Sequence, residues 1–212
     1  MKIVIQALLI MGSIVLAYLV YSTIINPIDF KTEKDLRYTA CIESLKNIRK
    51  AQSAYKDVNG KFTGSWDTLA VFVKKGTLPL VKKIGSLTDI QLEAGMTEKD
   101  AIEKGLIIRD TIRVVVLDSL FGKSYNVDKM RYIPYTKDEV FYLGTNVITT
   151  GSGVQVAVFE SRAHNNQILA ELKDKFKQEV INLNEKRRLD GKYPGLKVGS
   201  LTETNNSAGN WE

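Results

Sequence analysis

The chain has 212 residues, 44% of them apolar and 25% charged, with 30 Lys and Arg against 24 Asp and Glu for a formal net charge of +6. That apolar fraction excludes wholesale disorder, and 4 Pro with 15 Gly exclude a collagen-like or low-complexity chain. A single Cys excludes an internal disulfide and a Cys-rich metal site, and a single His, His164, makes imidazole ligation and a His-centred triad improbable.

From Ile3 to Ile25 the chain carries no charge, and only Gln6, Ser13, Ser22 and Thr23 are clearly polar. A helix over this stretch is roughly 35 Å long, enough for a hydrocarbon core of roughly 30 Å. The run is too long for the apolar part of a cleaved signal, and no Ala-x-Ala follows it. A soluble core helix of this length would show a polar face. The reading is an uncleaved single-span anchor over 1–26, ended by Asn26-Pro27, because Pro has no N–H to give the helical ladder. Tyr18 and Tyr21 sit in the half nearer the exit, within reach of headgroups.

From Phe30 to Val58, Tyr38, Cys41, Ile42, Leu45, Ile48, Ala51 and Tyr55 recur at three- and four-residue spacing, which predicts an amphipathic helix within 27–62. Asn59-Gly60 closes it. Ser65 is placed to cap a short helix from Trp66 to Lys75 with Gly76 as its stop, and Thr97 to cap another from Glu98 to Lys104 before Gly105. Leu78 to Leu92 reads as extended or irregular. Leu106 to Leu117 reads as one bent strand or two, and Met130 to Tyr135 as a short strand. Phe141 to Thr149 and Val154 to Ser161 flank Thr150-Gly151-Ser152-Gly153, a hairpin turn. A long helix is predicted from Asn165 or Asn166 to about Leu189, with Glu171 and Lys175 as an i,i+4 pair. Residues 191–212 read as an irregular tail, mobile unless Tyr193, Leu196, Leu201 and Trp211 dock it. The fold class is α+β: anchor 1–26, amphipathic helix 27–62, ectodomain 63–163 with an antiparallel sheet of three to four strands, C-terminal helix 164–190 and tail 191–212.

An apolar segment that continues into an amphipathic helix, then Tyr55-Lys56-Asp57-Val58-Asn59-Gly60-Lys61-Phe62, Ser65-Trp66-Asp67-Thr68-Leu69 and an antiparallel sheet, resembles type IV pilins and type II secretion pseudopilins. The likeness covers about the first seventy residues in detail and the rest in outline. It implies a membrane-anchored α+β ectodomain outside the cytoplasmic membrane. The peptidase site of pilin precursors is absent: Gly12 is the only Gly of the span, and a cut after it puts Ser13 first and Ala17 fifth, where the family has an aromatic residue and Glu.

No constellation carries catalysis, a metal or a cofactor. Asp29/Glu33 and Asp138/Glu139 are too sparse for a metal, His164 at a strand-to-helix junction reads as a cap or a surface residue, and Cys41 on the apolar stripe reads as a buried hydrophobe. The basic clusters Lys74-Lys75, Lys82-Lys83 and Lys186-Arg187-Arg188 lack the interleaved aromatics of a nucleic-acid surface, so no nucleic acid is expected. Gln6, Gly12 and Ser13 in the span, with Tyr38, Ile42, Leu45, Ile48 and Tyr55 beyond it, form a candidate helix-packing interface. The expected partners are the inner membrane, other single-span envelope proteins or further copies of the chain. The expected function is a non-enzymatic structural or assembly component of a bacterial envelope complex, with the bulk on the periplasmic side. The alternative is a tethered binding module for a small ligand or envelope polymer, with a groove lined by Trp66, Tyr132 or Tyr142.

Overall fold

The computed structural model describes residues 2–212, apart from the side chains of residues 81–83, 92, 109 and 110. Lys82-Lys83 and the Arg109-Asp110 interruption therefore lie outside the described side chains. The chain is α+β and divides into two compact units, residues 1–49 with 129–212, and residues 50–128.

Helix α1 runs from Lys2 to Asn59 without a break at Pro27. The expected stop is thus a correction. Pro27 deprives the Thr23 carbonyl of its partner, a cost of about 3 kcal/mol, but both flanks hold the helix. Before it lies the apolar run, and after it Phe30, Arg37, Cys41, Leu45 and Ile48 are buried at helical spacing. Pro27 itself is exposed, where the freed carbonyl can be hydrated. Gly60, at φ +73, ends the helix as expected.

In the unit of residues 50–128, the Gln52 side chain is fully buried and bonds both polar groups of Thr63: its Nε2 donates to the carbonyl (2.6 Å) and its Oε1 accepts from the N–H (3.1 Å). This pins the turn that leaves α1. Helix α2 (Trp66–Lys75) follows with its N-terminus capped by Ser65. Strand β1 (Thr77–Ile84), short helices α3 (Asp89–Glu93) and α4 (Glu98–Glu103), strand β2 (Ile108–Val115) and helix α5 (Val116–Leu120) complete it. Thr97 forms a capping box with Asp100 at α4. β1 and β2 pair antiparallel from Thr77↔Val115 to Ile84↔Ile108. Within Leu78 to Leu92, residues up to Ile84 are thus strand and those from Asp89 are in α3, a correction, and β2 is one strand that gives way to helix at Val116. Leu69, Val73, Ala101, Ile107 and Val116 are buried here.

In the other unit, Met130 to Tyr135 is not a strand and contributes a single bridge, Tyr132↔Val140. The hairpin forms as expected from β3 (Tyr142–Thr149) and β4 (Gln155–His164). The long C-terminal helix does not form. It is broken into α6 (Asn165–Ile168), a 3-10 turn (Ala170–Leu172) and α7 (Lys177–Leu189). Leu169 and Phe176 leave helical geometry (φ/ψ −108°/21° and −126°/41°). Contacts with α1 outweigh local periodicity: Phe176 meets the Phe30 ring at 5.6 Å, Glu171 pairs with Arg37 and Lys175 with Asp29, in place of the i,i+4 pair.

The tail is also a correction. Residues 195–199 form β5 (Gly195–Gly199), antiparallel to β4 in the order β3-β4-β5, with Leu196 and Val198 buried. Glycine reads locally as loop, yet here it is required by close approach. A Cβ on Gly199 would lie 2.1 Å from the Phe159 carbonyl oxygen, and its φ is +74°.

Candidate functional site

The sequence-derived interface residues divide by environment. Gln6, Gly12 and Ser13 are exposed, within an apolar stretch open on all sides, and the span window has no residue buried. This is a candidate membrane span. The Ser13 hydroxyl donates to the Leu9 carbonyl (2.9 Å), and beyond the helix's own backbone nothing lies within 4 Å of a Cβ built on Gly12, so close approach of a second helix there is unobstructed. Beyond the span the stripe turns inward: Leu45 and Ile48 are 0% exposed. Tyr38 and Ile42 are half-buried, as is Tyr55, whose ring meets Phe72 edge-on at 5.1 Å.

Two polar knots surround the stripe in the unit that holds the span. In the first, the Tyr38 hydroxyl donates to Asn165 Oδ1, Asn165 Nδ2 donates to Asn184 Oδ1 (2.9 Å), and Asn184 Nδ2 to Asn166 Oδ1 (3.1 Å). Burial pushes the Tyr38 phenol up to about 12 against the pull of the Arg187 guanidinium, which keeps it a proton donor. Next to Tyr38 in the chain, Arg37 is 8% exposed and donates from Nη1 to the Tyr135 carbonyl (3.2 Å) and from Nη2 to Glu171 (3.4 Å), while its Nε has no partner. Beside it the Cys41 thiol is pushed up to about 12 by burial, with Arg37 opposing. Such a thiol stays protonated near neutral pH and is a poor nucleophile there.

The second knot lies on the sheet. Glu160, 5% exposed, accepts from Arg162 Nη1 (2.9 Å) and lies 3.8 Å from Lys197 Nζ. The Arg162 guanidinium also stacks 4.4 Å from the Tyr142 ring centre and 5.7 Å from that of Tyr193. Register explains the grouping, since Tyr142, Arg162 and Lys197 stand opposite one another across β3, β4 and β5. This knot and buried Arg37 went unread in the sequence. The alternation of Glu160 and Arg162 on one face of a strand was the available signal, but Lys197 stood in a presumed tail.

His164 behaves as a cap. Its Nδ1 accepts from the Asn166 N–H (3.0 Å), while Gln167 accepts from the His164 N–H (3.1 Å). Burial and then Lys173 hold the imidazole below its ordinary value, so it is neutral and free to accept. A cleft of about 440 Å³ opens between His164, Asn166, Asn184 and Arg188, and one of about 510 Å³ between Thr136, Glu139 and Glu171. Tyr132 and Tyr142 line neither, and each has an arginine over its ring, Arg131 at 5.1 Å and Arg162 at 4.4 Å. Trp66 lies in the other unit.

Among the described residues, no group of three or more His, Cys, Asp or Glu is placed to hold a metal ion. The described basic clusters are partly spent internally: Lys74 pairs with Asp128 (2.7 Å), Arg187 donates to the Gly195 carbonyl (3.0 Å) and Arg188 pairs with Glu185 (2.8 Å). Compared with known proteins, the chain matches no protein-family model, no curated protein and no solved structure.

Proposed function

We propose that the chain is a non-enzymatic, membrane-anchored structural or assembly component of a bacterial envelope complex. In this reading it is pilin-like in build and carries its bulk on the periplasmic side of the inner membrane. One observation carries the proposal: a single uninterrupted helix carries an apolar run to Ile25 with no described residue buried before Phe30, then buries one face in a folded unit from Phe30 onward. A signal cut near Ile25 would fall inside that helix. Surface of this kind is stable in lipid, and Gln6, Gly12 and Ser13 give it a small polar seam for a neighbouring helix. Polar knots engaged within the fold and a thiol held protonated support a role through contacts more than through chemistry. The tethered binding module has less support, because Tyr132 and Tyr142 are engaged by arginines.

Two measurements test this. In detergent extracts the full chain should fractionate in an assembly larger than itself, and a chain lacking residues 1–26 should not. An unchanged assembly after that truncation would exclude packing through the span. For sidedness, single cysteines at exposed Lys61 and Lys192 in a Cys41→Ala background should react with an impermeant maleimide that enters the periplasm. Protection until the inner membrane is opened would place the domain in the cytoplasm and overturn the envelope reading.

A further inference from the structure

The sheet β3-β4-β5 has two outer edges, and the chain treats them differently. On β5, the Gly199 N–H donates to the Ala208 carbonyl (3.0 Å), the Asn210 N–H donates to the Lys197 carbonyl (3.0 Å), and Val198 bridges Gly209. The C-terminal residues thus cover that edge.

On β3 the hairpin sets the phase. The Thr150 N–H donates to the Val154 carbonyl (2.9 Å), and antiparallel alternation then turns Ile148, Asn146, Gly144 and Tyr142 toward β4. Leu143, Thr145, Val147 and Thr149 direct their N–H and C=O groups the other way. Phe141, in the same outward phase, gives its N–H to the Arg131 carbonyl (2.9 Å), where the short pairing around Tyr132↔Val140 ends. From Leu143 to Thr149, among the described residues, no strand lies on the outer edge. Among the described residues, the Val147 N–H alone of these outward N–H groups is occupied, by the adjacent Asn146 Oδ1 (2.9 Å). The strand Tyr-Leu-Gly-Thr-Asn-Val-Ile-Thr contains none of the Lys, Pro or inward charge that blunts natural edges. Val147 is 60% exposed.

An open edge of this kind is complementary to an extended polypeptide. The direction of α1 argues against antiparallel pairing with a second copy. Tyr38 bonds Asn165, just past the end of β4 where His164 stands opposite Gly195. Arg49 bonds the Ser207 carbonyl (3.3 Å) and Glu212 (2.7 Å), beside the Ala208 that meets Gly199 at the other end of the β4–β5 ladder. Between those residues α1 therefore runs along the strands. Antiparallel pairing of β3 with its own copy reverses everything that runs along the strands, so the two spans would leave in opposite directions and could not share a bilayer.

We infer that the outer edge of β3 receives an extended, uncharged strand from a different protein of the complex. The inference rests on the assembly function proposed above. The incoming strand carries small or β-branched apolar side chains beside Leu143 and Val147 and polar ones beside Asn146, and it displaces the single Asn146–Val147 bond.

Residue-resolved hydrogen exchange on the full chain, in native membranes and after purification to monomer in detergent, tests it. The N–H groups of Leu143, Thr145 and Thr149 should exchange roughly 100-fold more slowly in membranes. Those of Gly144, Asn146 and Ile148 should be equally slow in both, which reports an intact hairpin. Thr145→Pro removes one outward donor and should abolish the extra protection at Leu143 and Thr149 while leaving the inward amides slow. Equal outward exchange in the two preparations overturns the inference, as does a covalent edge crosslink whose mass is two copies of this chain. If the outward amides are fast while the chain still fractionates in a larger assembly, the edge inference fails and the assembly reading stands. If the chain fractionates alone, both fail.

Discussion

The Tyr38 hydroxyl donates to Asn165 Oδ1, and that bond ties α1 to the first residue after the central strand. Asn165 is 0% exposed and is held on two further sides: its Nδ2 donates to Asn184 (2.9 Å) and its backbone N–H to the Pro194 carbonyl (3.0 Å). One residue thus joins α1, α7 and the approach to β5.

Replacing Asn165 with Ala leaves the Tyr38 hydroxyl and the Asn184 Oδ1 without their partner. The expected loss is about 2–3 kcal/mol, against about 1 kcal/mol for Tyr38→Phe, which removes one group of a single bond. Thermal unfolding of both variants and their double mutant measures this. Additive losses would show that the two residues do not act as a pair.

Alkaline pH should destabilise the fold in two overlapping steps. The folded chain keeps the Cys41 and Tyr38 protons up to about 12, by burial, while the unfolded chain releases them from about 9 and 10. Above those values the unfolded state binds fewer protons, so stability falls as pH rises toward 12. Urea midpoints at pH 8, 10 and 11 should decline in the parent, and Cys41→Ala should remove the part that begins nearest pH 9.

Acid acts through His164 with the opposite sense. Its folded value lies below the ordinary 6.5, so as pH falls past 6.5 the unfolded state takes up a proton that the folded state refuses, and stability drops. Protonation also removes the acceptor that caps Asn166. His164→Ala should cost about 1 kcal/mol at pH 7.5 and flatten the decline between pH 7 and pH 5. An unchanged slope in that variant would assign the decline to other groups.

Gly199→Ala should destabilise by well over the roughly 1 kcal/mol typical of a strained glycine site. Its added carbon meets a backbone carbonyl at 2.1 Å, and that oxygen belongs to the central strand. Gly191→Ala, also at positive φ (+66°) but with no atom within 4 Å, isolates the conformational part. The difference between their melting temperatures reports how tightly β5 docks. Equal shifts would mean that the strand yields.

Where local chemistry decides a structure, the sequence was sufficient. Ser65 and Thr97 supply their own caps, Thr150 to Gly153 turn the hairpin, and the stripe from Cys41 to Ile48 is buried at the spacing it shows. Where distant partners decide, it misled. Phe176 leaves its helix to meet Phe30, 146 positions away in the chain, and Gly195 and Gly199 are strand residues because a neighbouring backbone lies too near for any side chain. The candidate interface was legible in the same measure. Gln6, Gly12 and Ser13 stay outward, whereas Leu45 and Ile48 are consumed in the core, and the open edge of β3 needed the pairing of Lys197 to Gly199 with the C-terminus before it stood out by contrast.

The passage of α1 through Pro27 sets an angular relationship as well as a length. Residues 2–28 and the stripe from Phe30 to Ile48 share one helical phase, so in the anchored assembly proposed above the azimuth at which Gln6 and Ser13 would meet a neighbour dictates the compass bearing of the β3 edge. Each residue inserted between Ile25 and Phe30 turns one against the other by about 100° and advances the rise by about 1.5 Å. One extra alanine points the edge away from whatever lies beside the span, and seven nearly restore it. In the anchored reading proposed above, the helix would act as a shaft that transmits rotation rather than as a flexible leash.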